Sequence, residues 1–215
     1  MDRLHEELKK LKNEVMEMGK LAKEMLQKAV EALKNQDVEL ADEVLSKKGR
    51  IAEMDEKIEH KAFQLIALYQ PVAKDMRTIA CILKMITYLA RIGRYGKDIA
   101  NVAKELADKP HIAKLVEIPY MAELVCKMID DALKAFEKED VSLLENFSER
   151  DDAIDALRWS IFRECITYMM ENPANITRCA HYVMIARYLE RCADHTCKMA
   201  EKIYYMVTGE RKEIK

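Results

Sequence analysis

The chain has 215 residues, 36 of them basic and 38 acidic, for a net charge of −2. The charges are spread along the whole length, so there is no basic arm for nucleic acid and no polybasic tag for a membrane surface. Only five Gly and four Pro punctuate a sequence rich in Leu, Ala, Met, Glu and Lys, a composition for long helices and few strands. The opening residues lack the apolar core of a signal peptide, and no apolar run of membrane-spanning length occurs, so the expected location is the cytoplasm. The six Cys form no Cys-x-x-Cys pair and read as buried free thiols; the 14 Met read as adaptable core filler.

In chain order, Leu4, Leu8, Leu11, Val15, Met18, Ala22, Met25, Ala29 and Ala32 form an apolar seam on a first long helix. Asp37 is placed to cap a second, which runs to about Tyr69 and stops before Pro71. A third extends from about Val72 to Asp108, roughly 50 Å at helical rise, with Ile79, Leu83, Ile86, Leu89 and Gly93 on its buried face. Asp75 and Arg77 are positioned to cap its entry through a local salt bridge.

The second half replays this order: a helix near Pro119–Lys138, a corner at Glu139-Asp140-Val141, a helix to Glu171, and a last helix from about Asn175 to Val207 with Gly209 as its C-cap. Asp55 and Asp155 lie 100 residues apart, as do Arg91 and Arg191, while Pro71 and Pro173 are offset by 102. The fold class is therefore all-α, two tandem three-helix repeats of long antiparallel helices forming a six-helix bundle-like body. The repeats are assigned to residues 1–109 and 119–215, with 110–118 as connector.

Chemistry concentrates in the second repeat. Asp151 and Asp155 are four apart on its middle helix, and Glu190 and Asp194 are four apart on its last, so each pair shares a helical face. If the two faces meet, four carboxylates converge, and a hard or borderline cation (Mg, Mn, Ca or Fe) removes the cost of their burial. The competing reading is a solvated acidic face paired with Arg150, Arg158, Arg187 and Arg191. His195 points about 100° away from Asp194 and is not counted as a ligand. In the first repeat the equivalent positions are Ile51, Asp55, Ala90 and Arg94, a set unsuited to metal. Arg94 is placed to neutralise Asp55 or to pair with Asp98.

These residues resemble the PhoU family of phosphate-uptake regulators. The segment Glu190-Arg191-Cys192-Ala193-Asp194-His195-Thr196-Cys197-Lys198-Met199-Ala200 is similar to the family's Glu-Arg-Ile-Gly-Asp-His-Ala-x-Asn-Ile-Ala motif. Ala90–Ala100 is a degraded first copy, and Gln70-Pro71-Val72-Ala73-Lys74-Asp75-Met76-Arg77 resembles the family's Gln-Pro-x-Ala-x-Asp-Leu-Arg turn. Phe162-Arg163-Glu164, Tyr168-Met169 and the ending Tyr205–Glu210 fit as well.

The resemblance implies a metal site through Asp151-x-x-x-Asp155 and Glu190-x-x-x-Asp194, with divalent or iron-type ions in the second repeat alone. Lys198 departs from the family's Asn, and the degraded first copy suggests a divergent paralogue. It further implies a cytoplasmic, non-enzymatic homodimeric adapter between a phosphate ABC transporter and a membrane sensor kinase, touching the membrane only peripherally. Two alternatives stand beside it: a metal-free helical scaffold, and a carboxylate-bridged metalloenzyme. The residues disfavour the latter, since no Glu-x-x-His motif, Gly-x-Ser-x-Gly elbow or Walker loop occurs.

Overall fold

A computed structural model describes residues 2–214. All regular structure among them is helical: two short 3₁₀ turns (Val141–Leu144 and Pro173–Asn175) and seven α-helices, α1 (Asp2–Asn35), α2 (Val38–Ser46), α3 (Lys48–Tyr69), α4 (Ala73–Glu105), α5 (Glu117–Lys138), α6 (Phe147–Glu171) and α7 (Ile176–Thr208). None is long and apolar enough to cross a membrane. The first repeat comprises α1–α4 and the second α5–α7, and one continuous apolar core joins them.

The expected seam of α1 is buried along its length, and from Leu21 onward the buried face widens to include Leu26, Val30 and Leu33. A single stripe serves a helix with one neighbour; α1 needs more because it packs on α2, α3, α4 and α5. On α4 the predicted face is buried except Leu83, which is half-buried against the core.

The repeats turn their first corners in the same way. Gln36 and Glu139 both adopt the left-handed conformation (φ 55° for each), and an Asp follows each. The Asp37 carboxylate accepts from the Leu40 N–H at 2.9 Å, and that of Asp140 from the Ser142 N–H at 3.0 Å. Beyond the corner, the expected uninterrupted helix is broken in each repeat. In the first the break falls at Lys47, whose N–H bonds Val44 at three-residue spacing while its ammonium binds Glu24 and Glu43 on either side. In the second, Val141–Leu144 tightens into a 3₁₀ turn before α6 begins. The expected Asp75–Arg77 salt bridge does not form: Asp75 faces His5 at 3.4 Å, and Arg77 donates to the Met206 carbonyl at 3.4 Å. The Gly209 C-cap is present, at φ 79°.

The connector is pinned by His111. Its Nε2 donates to the Leu33 carbonyl at 2.9 Å, so Nδ1 accepts from the Tyr182 hydroxyl at 2.6 Å, tying the end of α1 to α7. Buried Arg178 donates to the Leu106 carbonyl at 3.2 Å and secures the end of α4 to the same helix.

Gly96 fixes how closely α1 and α4 approach. A Cβ there would lie 3.0 Å from the backbone of Met25 and Leu26, atoms that cannot yield without moving a helix. At Gly93 a Cβ would meet the Ile51 side chain at 3.3 Å, which can turn aside. Alanine gains up to about 1 kcal/mol of helix propensity at either position. At Gly96 overpacking outweighs it, and Gly96→Ala is expected to lose about 1–2 kcal/mol in chemical denaturation. Gly93→Ala should be close to neutral, and equal behaviour of the two variants would contradict the backbone-contact argument.

Candidate functional site

The packed pair α6 and α7 carries the four acidic residues singled out in the sequence. Asp151 is 5% exposed and Glu190 is 7% exposed, an unusual depth for carboxylates, while Asp155 and Asp194 are half-buried nearer the surface. The apolar neighbours that place them are Ile154 on α6 and Leu189, Cys192 and Ala193 on α7, all buried.

The four do not act as one set. Glu190 is held by arginines: Arg187, one turn earlier, donates to both of its oxygens, and Arg158 reaches across from α6 to 3.5 Å. Arg158 also stacks over Trp159, 4.2 Å from the ring. Glu190 therefore meets the cost of burial with cations from the protein itself.

The aspartates have no comparable support. Asp151 is pushed up to about 6, first by burial and then by the charges of Asp194 and Asp155. Its one favourable contact in that balance is the Cys197 thiol. Asp194 has Arg191 at 3.6 Å on an exposed flank. Lys198, the departure from the family motif, turns away to bind Glu201 at 2.8 Å. As positioned, no three Asp, Glu, His or Cys side chains among the described residues converge on one coordination point. Three oxygen donors in mutual repulsion are a set that a hard cation would stabilise if the side chains closed on it. Glu190 could join only by leaving its arginines.

His195 lies on the other side of α7, as its spacing required. It stacks on Tyr88 and Tyr95 of α4, with ring centroids 5.6 and 6.0 Å away, and burial followed by Arg91 lowers it to about 4. It is a neutral packing residue between repeats. Spacing along α7 does not reveal the aromatic partners, which come from the other repeat.

The equivalent place in the first repeat is a cleft of about 460 Å³ at the α3–α4 contact, lined by Asp55, Arg94, Lys48 and Lys97. The expected pairing of Arg94 is absent: no ion pair joins it to Asp55 or Asp98, and Asp98 is bound by Lys97 at 2.9 Å. Asp55 is shifted upward by burial and then by Glu59. Where the second repeat gathers anions, the first gathers cations.

A family model described as the PhoU domain matches twice, over residues 15–103 and 118–203. The chain belongs to the PhoU family. It is 39% identical over 208 residues to a phosphate-specific transport system accessory protein PhoU homolog of Aquifex aeolicus, covering 97% of this chain and 94% of that one. A homolog of the same description from Rhizobium meliloti is 37% identical and matches over 99% and 90% of the two chains. Among solved structures, PhoU from Pseudomonas aeruginosa superposes with a TM-score of 0.91 at 32% identity, over 96% of this chain and 99% of that one. The phosphate transport system regulatory protein PhoU from Streptococcus pneumoniae gives 0.88 at 27% identity, over 97% and 99%. The PhoU-like tandem repeat and all-helical architecture expected from the sequence are thus present.

The raised Asp151 carboxyl has a pH signature. It binds a proton more tightly folded than unfolded, so its contribution to stability is full below the ordinary Asp value of 3.8 and is lost as pH rises through about 6. In metal-free protein, Asp151→Asn should be more stable than the parent at pH 7.5, by something on the order of 1 kcal/mol after solvent screening. The gain should vanish near pH 4. Thermal melts across that range check it, and a pH-independent difference would contradict the assignment.

Proposed function

We propose that this protein is an accessory regulator of phosphate-specific transport, acting without catalysis as a cytoplasmic adapter between a phosphate ABC transporter and a membrane sensor kinase. The observation that carries the transport part is the match to homologs of that description along nearly the whole chain. The kinase link and a homodimeric state rest on the family resemblance alone.

The shape supports an adapter. Apolar side chains stand in solvent at the corner ending α3, where Leu68 and Val72 are 74% and 77% exposed, and at the one ending α6, where Met170 is 81% exposed. Such side chains are candidates for partner contact. In the second repeat, a divalent or iron-type cation held by Asp151, Asp155 and Asp194 would brace α6 against α7, with Glu190 supporting from its arginine clamp. The ion would supply charge neutralisation and no chemical step.

Deleting the gene tests the function. Phosphate uptake and expression of phosphate-starvation genes should both become insensitive to ample phosphate, and the double variant Leu68→Glu with Met170→Glu should reproduce the defect while remaining folded. Unchanged uptake and unchanged expression in the deletion strain would overturn the reading.

A further inference from the structure

A cleft of about 630 Å³ lies between α4, α7 and the C-terminal tail, apart from the acidic cluster. Five basic side chains line it against two acidic ones: Lys84 from α4, Lys198 and Lys202 from α7, and Arg211 and Lys212 from the tail, facing Glu201 and Glu213. The tail is held in place over the cleft. Ile214 is buried and its N–H donates to Glu201 Oε1 at 3.2 Å. The Arg211 guanidinium sits 5.9 Å from the Tyr205 ring, and the Lys212 ammonium 5.4 Å from that of Tyr204.

The charges are not balanced from within. Glu201 is already engaged by Lys198 at 2.8 Å and by the tail N–H. Among the described residues no carboxylate lies within ion-pair distance of Lys84, Lys202, Arg211 or Lys212, although ion pairs are plentiful elsewhere on this surface. Cys81 lines the same cleft, and burial pushes its thiol up to about 12, so it remains protonated and adds no negative charge.

We propose that this cleft is a binding site for an oligophosphate, either an inorganic phosphate chain or the triphosphate of a nucleotide. Like charges gathered around one concavity repel each other and focus a positive potential into it, and a ligand carrying several negative charges relieves that repulsion. Four of the five cations are lysines, which bind phosphate as compact point charges, and Arg211 adds a planar fork able to take two phosphate oxygens at once. The volume falls within the ordinary range of small-ligand sites, roughly 300–1,000 Å³. It exceeds what one orthophosphate fills. The inference is independent of the adapter reading and of the acidic cluster, from which Lys198 is turned away.

Calorimetric titration of the full chain in low salt without divalent ions tests it, using sodium tripolyphosphate, ATP and orthophosphate as separate probes. Tripolyphosphate should bind saturably at one site per chain, at least about tenfold more tightly than orthophosphate, and weaken as salt is added. The double variant Lys84→Gln, Lys202→Gln should lose about tenfold or more in affinity. Lys34→Gln with Lys127→Gln, which removes the same charge beside a different cleft, should not. Tighter binding of ATP than of tripolyphosphate would support the site with a nucleotide as the source, and equal or weaker binding would support it with the inorganic chain. No saturation by any probe at about 1 mM, or equal losses in the two double variants, would overturn the proposal.

Discussion

The approach of α1 to α4 at Gly96 is the contact on which the other helices depend. Because no side chain stands between the helices there, the Met25–Leu26 backbone comes within contact distance of α4. That draws α1 deep enough to be shared, packing on α5 as well as on its own repeat, while α4 packs on α7. The two repeats consequently share a continuous core and bury the same long helices. His195, stacked between the tyrosines of α4, and His111, bridging Leu33 to Tyr182, are consequences of that sharing.

On this common frame the repeats have taken opposite electrostatic characters. The second sets three aspartates near one another and reserves a two-arginine clamp for Glu190. The first has Ile51 and Ala90 where carboxylates stand in the other repeat, and lines the space with Lys48, Arg94 and Lys97. Burying a charge without a partner is costly, so each arrangement needs an answer to its own excess. Glu190 finds that answer inside the chain. Asp151 does not, and keeps its carboxyl inclined to hold a proton.

The helical frame could be read from residue spacing because it depends on local rules. The seam of α1, the Asp37 cap, the Gly209 cap and the repeat offset all follow from periodicity, capping and counting. What spacing missed depends on neighbours distant in sequence. At the break the Lys47 ammonium binds carboxylates from two helices, and Arg77 bonds the end of α7 instead of Asp75. At the site, spacing identified the face that each carboxylate shares, yet could not tell that Glu190 lies within reach of Arg158 from α6 while the aspartates do not. A quartet counted along two helices became a clamp and a trio once side-chain reach and burial entered. The tail cleft was invisible in the same way, since its cations come from three separate stretches of chain.

The two halves share a frame and differ in charge, and the cation site we propose lies in the second alone. Crystals soaked in manganese, with data collected for anomalous scattering, test it most directly. A peak among Asp151, Asp155 and Asp194, with none beside Asp55 and Arg94, is the expected result. Peaks in both repeats, or an empty trio at saturating manganese, would contradict it.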